Sequence, residues 1–457
     1  MAVERVAVVG AGLAGLAAAV ELKELGAHVE LFERSRLLGG RATSFEIDGI
    51  EVDNGQHVFL ACCTEFIDFA RRGGFSEKLK LQPRFEALVL SRDGKRGSLR
   101  AASLPAPFHL LASFATYSHL GAGAKLRIAR ALASAMFGRS GEATTFESWL
   151  VLHHQNAETR RAFWDPFFIP ALNAPFDQVS MEDAMFTLRT AFLSNPSASR
   201  FGFSTVPLAH LASSAAQRLD AVHLSTAVLG IESDGNGVTL RLPNGESQSF
   251  DAAVLAVTPR AVAKLLGDAE RYGVRDLDGY RPFPILDVHL WHDQGAVGFD
   301  FAAALESPLQ WIFEKAPGYL SCSFSAADEY MRLPTADLEA LAWSEIQAYV
   351  PSMRTAKLIR SAVTRNPEAT WLPKPGVKRA LQTTADPSVT IAGSWTETGW
   401  PDTMESAVRS GRAAAKALPL RLPERGEPAR TKRVEGEGSR TLGNMQAQAS
   451  VLKASEA

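Results

Sequence analysis

The residues best suited to chemistry lie at the two ends of the chain. Near the start, the apolar run Val6-Ala7-Val8-Val9 enters Gly10-Ala11-Gly12-Leu13-Ala14-Gly15. A strand followed by that glycine spacing lets the N-terminus of a helix hold a pyrophosphate. The helix is read from the Ala/Leu-rich stretch Leu13 to Leu25, which Gly26 stops before a second strand, His28-Val29-Glu30-Leu31-Phe32. Glu33 closes that strand about 20 residues beyond the last motif glycine, the spacing at which a carboxylate reaches the ribose hydroxyls of an adenosine. An acid there repels a 2′-phosphate, so the dinucleotide is NAD- or FAD-like, not NADP-like. Next comes Arg34-Ser35-Arg36-Leu37-Leu38-Gly39-Gly40-Arg41. Its paired glycines let backbone approach phosphates closely, and Arg41 offers them a planar cation. Near the other end, Ile391-Ala392-Gly393-Ser394-Trp395 and Asp402-Thr403-Met404-Glu405-Ser406-Ala407 read as a strand, glycine turn and helix start. The two ends make sense together if one cofactor touches both. Residues 6–20 are not expected to be a signal peptide, because Glu4 offsets Arg5 and leaves no basic leading region.

With Gly39-Gly40-Arg41 following the first fingerprint and its acid, the chain resembles the flavin amine oxidase and phytoene desaturase superfamily. Two further elements of that superfamily have counterparts. Its Asp-x-Gly segment beside the flavin ring is matched by Asp53-Asn54-Gly55-Gln56-His57, and its strand end before a helix that meets the flavin pyrimidine is matched by Ala392-Gly393-Ser394 and Met404-Glu405-Ser406-Ala407. The resemblance implies FAD, bound by Gly10, Gly12, Gly15, Glu33, Arg34, Gly39, Gly40, Arg41, Gly55, Gln56, Gly393, Ser394 and Met404, with Val228 against the adenine. Ser394 departs from the pattern. The superfamily has a carboxylate there, and a hydroxyl bonds more weakly, which implies a looser hold on FAD.

Within the superfamily, Asp53 to His57, Phe163-Trp164-Asp165-Pro166 with Ala171-Leu172-Asn173, and Ala392 through Pro401 are similar to the squalene-associated FAD-dependent desaturases. These are the hydroxysqualene dehydroxylases of hopanoid and triterpenoid biosynthesis, and the similarity runs from residue 3 to about residue 416. It implies loss of the allylic hydroxyl of hydroxysqualene with hydride delivery, giving squalene. An acid must protonate that hydroxyl. His57 is the first candidate, since its segment is expected beside the flavin and imidazole protonates near neutral pH. Asp287 is the second, since a carboxyl in apolar surroundings has its pKa raised. Two other readings stay open: an oxidative carotenoid or phytoene-type desaturase or isomerase, and a non-catalytic prenyl-lipid-binding protein on the same scaffold.

Lys plus Arg (48) nearly balances Asp plus Glu (50), so no global field favours nucleic acid or an acidic substrate. The expected partner is an apolar isoprenoid. The electron donor is not identified: Gly121-Ala122-Gly123-Ala124-Lys125 lacks the third glycine and the preceding strand of a second dinucleotide motif. The 25 phenylalanines and the uncharged run Pro166 to Phe176 suit an extended apolar slot, and equally a core. Cys62, Cys63 and a third cysteine give no disulfide framework and fit a reducing cytoplasm. No metal site is expected, because His153 and His154 are adjacent and cannot share a helix face. Leu104 to Ala124 is too polar to span a bilayer. Leu110, Leu111, Phe114 and Tyr117 are nevertheless spaced like one helical face, followed by cations and apolar residues alternating from Lys125 to Arg130. Residues 104–130 therefore read either as a peripheral contact with the inner face of the cytoplasmic membrane or as a helix packed on the core.

The expected fold class is α/β: a discontinuous, Rossmann-like FAD-binding domain of the GR2 type, plus an α+β substrate domain of the amine oxidase and phytoene desaturase type. Residues 1–90, 200–275 and 385–418 are assigned to the first, 91–199 and 276–384 to the second, and the Pro-, Gly- and charge-rich 419–457 to a disordered tail. Ala252 to Val257 is expected in the parallel sheet. Alternation along Ile285 to Trp291 puts Asp287, His289 and Trp291 on one face of a strand.

Overall fold

The computed structural model describes residues 4–137, 143–235, 237–374 and 377–420, apart from the side chain of Asn244; the expected tail lies almost wholly outside the described residues. Strands β1 (Arg5–Val9) and β2 (His28–Phe32) sit centrally in a five-stranded sheet ordered Ala221–His223, β2, β1, Ala252–Leu255, Val389–Ile391, with every pair parallel. The unbroken apolar sequence of β1 follows from this position, since a parallel sheet is covered on both faces. Val6 and Val8 face the helices, whereas Ala7 and Val9 face Ile231, Leu240 and Phe250 of a three-stranded antiparallel sheet.

The helix α1 (Leu13–Glu24) carries Ala14, Ala17 and Ala18 as buried residues, and the last helix, Met404–Ala417, lies directly on them. The approach is so close that a Cβ on Gly411 would stand 2.1 Å from the Ala14 carbonyl oxygen. Glu21 of α1 reinforces the contact by accepting from Arg412 at 3.0 Å, and it also pairs with Arg72 at 2.6 Å. Arg72 ends α2 (Thr64–Arg72), whose first amides, Glu65 N and Phe66 N, donate to the buried Glu405 carboxylate. The two ends of the chain thus form one helical layer over the parallel sheet.

A second, seven-stranded sheet has the order Leu358–Pro373, Tyr280–His292, Tyr319–Ser325, Trp311–Ala316, Phe301–Ala304, Glu86–Leu90, Arg96–Arg100. Leu286, Val288, Leu290 and Cys322 cover one face against Leu338 and Ile346 of the helix Thr335–Tyr349. The other face carries Trp311, Phe313 and Phe301 under a helical cap, and at its far end Asp287 and His289. Glu86–Leu90 belongs to this second sheet although it precedes residue 91. It pairs in parallel with Phe301–Ala304, and its Ala87 and Val89 are buried in the cap core. Its partner strand lies some two hundred residues away, so nothing local marks where it belongs.

The stretch from residue 104 is not one helix. A short turn (Phe108–Leu110) leads into α3 (Leu111–Thr116), and α4 (Ala122–Phe137) follows after a break. The break pulls the chain onto the sheet edge: Ser118 Oγ donates to the Arg96 carbonyl, and His119 bonds the Val89 carbonyl. It also splits the expected face, because Tyr117 is buried with its hydroxyl on the Ala162 carbonyl whereas Leu111 points outward.

Substituting Gly411→Ala forces a methyl against the Ala14 carbonyl. The expected cost is about 1–3 kcal/mol of stability, read as a lower Tm in thermal unfolding; an unchanged Tm would mean that α1 and the last helix separate freely.

Candidate active site

The phosphate cradle is built by β1, α1 and the glycine pair after β2. A Cβ on Gly15 would stand 1.9 Å from the Gly10 carbonyl, so the turn itself demands the third glycine, whereas a Cβ on Gly12 would meet nothing within 4 Å. Gly12 opens α1 without a side-chain cap. Gly39 N donates to the Ala11 carbonyl at 2.8 Å, and a Cβ on Gly40 would lie 3.0 Å from Gly12 Cα. The two glycine motifs therefore face one another across an open space at the positive end of a helix, which suits a pyrophosphate. Glu33 is pinned at the rim, accepting from Ala11 N and Ser35 N at 2.8 Å each. Arg34 is exposed, and Val228 packs half-buried against the core that contains Phe32.

Arg41 links the cradle to the C-terminal motif. Its guanidinium donates to Ser394 Oγ at 2.5 Å, to the Ala369 carbonyl at 2.8 Å and to Asp402 at 3.3 Å. The carboxylate missing at Ser394 is thus present nearby: Asp402 supplies it, and it is fixed in place by Trp371 N at 2.6 Å. Gly393 N donates to Ser410 Oγ, and Met404 begins the last helix behind the Thr403 cap. An open glycine cradle, an uncapped helix start, a pinned acid and a second helix start aimed at one region fit a flavin dinucleotide.

Beyond the cradle, the segment Asp53 to His57 crosses the polar end of the seven-stranded sheet. Asp53 accepts from Ser44 Oγ, Leu208 N and, at 2.9 Å, Lys315 Nζ. Although its burial opposes ionisation, the Lys315 ammonium and these bonds together hold its pKa below the usual value. Lys315 also donates to Gln56 Oε1 at 3.0 Å. Below them lies Asp287, fully buried, accepting from Ser323 Oγ at 2.5 Å and Gln56 N at 3.3 Å. Burial pushes its pKa up to about 6, and the nearby Asp53 charge adds to the shift. A Cβ on Gly55 would stand 2.8 Å from Asp287 Oδ2, so glycine there keeps that oxygen clear of side chains. His289 donates to or accepts from Tyr319 Oη at 2.9 Å, and burial pushes its pKa down to about 4. Asp287 Oδ2, His289 Nε2, Ser321 Oγ and Thr364 Oγ1 are all buried without a hydrogen-bond partner among the described residues. The strand register gathers them, with Thr364 directly opposite Asp287 and Ser321 directly opposite His289.

His57 behaves differently from a cationic acid. Its Nδ1 donates to the Gly55 carbonyl at 3.0 Å, and burial, with Arg41 and Lys315 adding to it, lowers its pKa. The ring is neutral at pH 7, and its other nitrogen is an acceptor. Sequence reasoning missed Lys315, Ser323 and Asp402. Lys315 was within reach of it, because Trp311, Phe313 and Lys315 alternate along one strand and a lysine on an otherwise aromatic face stands out.

In the cap, a cavity of about 370 Å³ is lined almost wholly by apolar side chains, among them Phe85, Phe114, Phe163, Phe167 and Phe168. The Pro166 to Phe176 run serves both expected purposes, since Phe167 and Phe168 line this cavity and also belong to the core. Phe167 meets Trp311 edge-on at 6.1 Å. Trp311 lies directly opposite Ser323, the donor to Asp287, so aromatic side chains run from the cavity lining toward the polar floor. A larger open cleft of about 800 Å³ near Arg271 and Thr239 contains none of the motif residues.

The family of flavin containing amine oxidoreductases matches residues 13–419. The chain belongs to that family. It is an FAD-dependent oxidoreductase. Among curated relatives, the hydroxysqualene dehydroxylase of Zymomonas mobilis is 25% identical, over 89% of this chain and 97% of that one. A probable zeta-carotene desaturase of Synechococcus elongatus is 26% identical, over 91% and 98%. Among solved structures, putrescine oxidase with bound putrescine is 17% identical with a TM-score of 0.70, covering 90% of this chain and 98% of that one.

Gly12→Ala places a methyl in the open cradle where no protein atom opposes it. The flavin-free variant is expected to keep the wild-type Tm, while the flavin-to-protein ratio surviving gel filtration falls. A variant that keeps its flavin would remove Gly12 from the cradle.

Proposed function

We propose that this flavoenzyme carries out the reductive dehydroxylation of hydroxysqualene to squalene. The observation that favours this over oxidative carotenoid desaturation is the row of buried, unpartnered polar atoms on the floor: Asp287 Oδ2, His289 Nε2, Ser321 Oγ and Thr364 Oγ1. A pure hydrocarbon leaves every one of them unpaired, at about 1–3 kcal/mol per group. A substrate hydroxyl supplies a partner. Sites built to bond a hydroxyl reject the analogue without it by roughly 10⁴–10⁵.

In this reading Gly12, Gly40 and the start of α1 hold the pyrophosphate of FAD, Glu33 its ribose and Val228 its adenine. Gly10, Gly15 and Gly39 shape the cradle, Arg34 flanks it, and Arg41, Gly55, Gln56, Gly393, Ser394 and Met404 surround the far end of the cofactor. Bound and reduced, FAD supplies a hydride equivalent; with one proton, a C–O bond is exchanged for a C–H bond and water leaves. Asp287 provides that proton. Its pKa near 6 leaves part of it protonated at neutral pH, and Ser323 fixes its orientation. Lys315, held between Asp53 and Gln56, keeps the Gly55 segment over the floor. His57 ranks second, because its Nδ1–H is committed to the Gly55 carbonyl. The electrons come from a separate reductant, a nicotinamide or a reduced redox protein.

The deciding experiment is anaerobic incubation of the pre-reduced protein with hydroxysqualene, following flavin absorbance and product mass. Squalene formed with flavin reoxidation supports the reading; untouched hydroxysqualene, together with desaturation of a carotene by the oxidised protein supplied with an electron acceptor, overturns it. Asp287→Asn is expected to lower kcat by about 10²–10⁴, whereas His57→Phe retains turnover. Because only the protonated Asp287 donates, wild-type kcat should be highest below pH 6 and fall about tenfold per pH unit above it. A profile flat from pH 5 to 8 would exclude Asp287 as the acid.

A further inference from the structure

Five of the twelve exposed large hydrophobic side chains among the described residues fall between residues 104 and 137: Leu104 (46%), Phe108 (57%), Leu111 (56%), Leu126 (52%) and Phe137 (84%). Three of these five share one feature. Phe108 and Leu111, in the turn and α3, and Phe137 at the end of α4 all line the apolar cavity. These exposed side chains therefore mark its rim.

The pattern on α4 agrees. Ala124, Ile128, Ala131 and Ala135 are buried toward the cap. Leu126, Arg130, Ala133 and Phe137, spaced i, i+4, i+7 and i+11, are exposed on the opposite side. An outward stripe with a leucine and a phenylalanine is not the solvated face of an ordinary surface helix. Its charge is one-sided as well. Residues 94–137 contain Lys95, Arg96, Arg100, Lys125, Arg127 and Arg130 and no Asp or Glu, in a chain whose net charge is −2. Arg127 and Arg130 are exposed. No described helix is long and apolar enough to cross a membrane.

We propose that this rim docks on an anionic lipid bilayer, with Phe108, Leu111, Leu126 and Phe137 entering the acyl boundary and Arg127 and Arg130 meeting the headgroups. The cavity mouth then opens below the headgroups, and a water-insoluble isoprenoid enters the cavity from the leaflet without crossing water. Apolar insertion and cation attraction are the two contributions that such interfacial contacts combine. This docking explains how the proposed substrate arrives, but the surface is independent of that assignment. It is tested without substrate.

Flotation of the purified, flavin-loaded full chain is carried out with vesicles of phosphatidylcholine alone and of phosphatidylcholine with phosphatidylglycerol. The protein is expected to float with the anionic vesicles, less with the neutral ones, and less again as salt rises. The variant Phe108→Ser, Leu111→Ser, Leu126→Ser should bind both vesicle types at least ~10-fold more weakly. Replacing Arg127 and Arg130 by Gln should weaken binding to anionic vesicles by about fivefold per cation and leave neutral binding unchanged. All substituted side chains lie at the surface, so flavin content and Tm report whether the fold survives. Protein that stays in solution with both vesicle types overturns the proposal, as does binding that the serine variant does not reduce. A dimer in sedimentation that the serine variant breaks, without vesicle binding, would assign the patch to a second copy of the chain instead.

Discussion

Everything in the cofactor region depends on the contact of α1 with the last helix. The first helix starts the cradle and the last one starts beside Arg41, so both must be held at fixed height over the same parallel sheet. Gly411 against Ala14 lets the two backbones touch, and Glu21 between Arg412 and Arg72 fixes their rotation. The two helices start differently: α1 begins at an uncapped glycine, whereas Thr403 caps the last helix. Packing, not intrinsic propensity, sets their positions, as is usual for helices of this length. The discontinuous domain is closed by this contact, which explains why glycine motifs at opposite ends of the chain serve one cofactor.

The flavin end of the protein was legible in the sequence because its constraints are local. Glycine spacing, an acid at the end of β2 and an apolar parallel strand are each set by neighbours within a few dozen residues, and the chain folds as they require. The floor was legible only in part. Alternation along the strand Tyr280–His292 put Asp287 and His289 on one face, as the structure has it. It could not say that Ser323, Thr364 and Lys315 would share that face, because register between strands is a tertiary property. The same limit hides the pairing of Glu86–Leu90, whose partner strand is remote. Ser394 shows the limit from another side. Read alone it is a lost carboxylate; in the fold, Asp402 brings a carboxylate to Arg41 from the next turn of chain.

His57 was ranked first as an acid from residue type and neighbourhood. The structure supplies what residue type cannot, namely desolvation and the commitment of Nδ1 to the Gly55 carbonyl. Both favour the neutral ring. The reasoning that raised Asp287, a carboxyl without water, is the same physics with the opposite charge sign. Desolvation thus disfavours the histidine's charge and makes the aspartic acid hold its proton to a higher pH.

That environment is held in balance by charge. Arg41 and Lys315 face Asp53 and Asp402, so the cations and anions near the floor already compensate. Ionising Asp287 would add an unmatched negative charge beside Asp53, which is why the Asp53 charge raises the Asp287 pKa. The two carboxyls then pull stability in opposite directions with pH. Asp53, with its folded pKa lowered, favours the folded state above its unfolded value, and this contribution is lost as pH falls through the folded one. Asp287, with its pKa raised to about 6, contributes fully below the ordinary carboxyl range, and that contribution is lost as pH rises through 6. At neutral pH the fold therefore bears the cost of a buried carboxyl that is mostly ionised and whose second oxygen has no partner. A purely structural floor would gain from an apolar residue at this position. Keeping the acid there, beneath a glycine that leaves its free oxygen clear of side chains, is a cost in stability that the proposed proton transfer to a bound hydroxyl would account for.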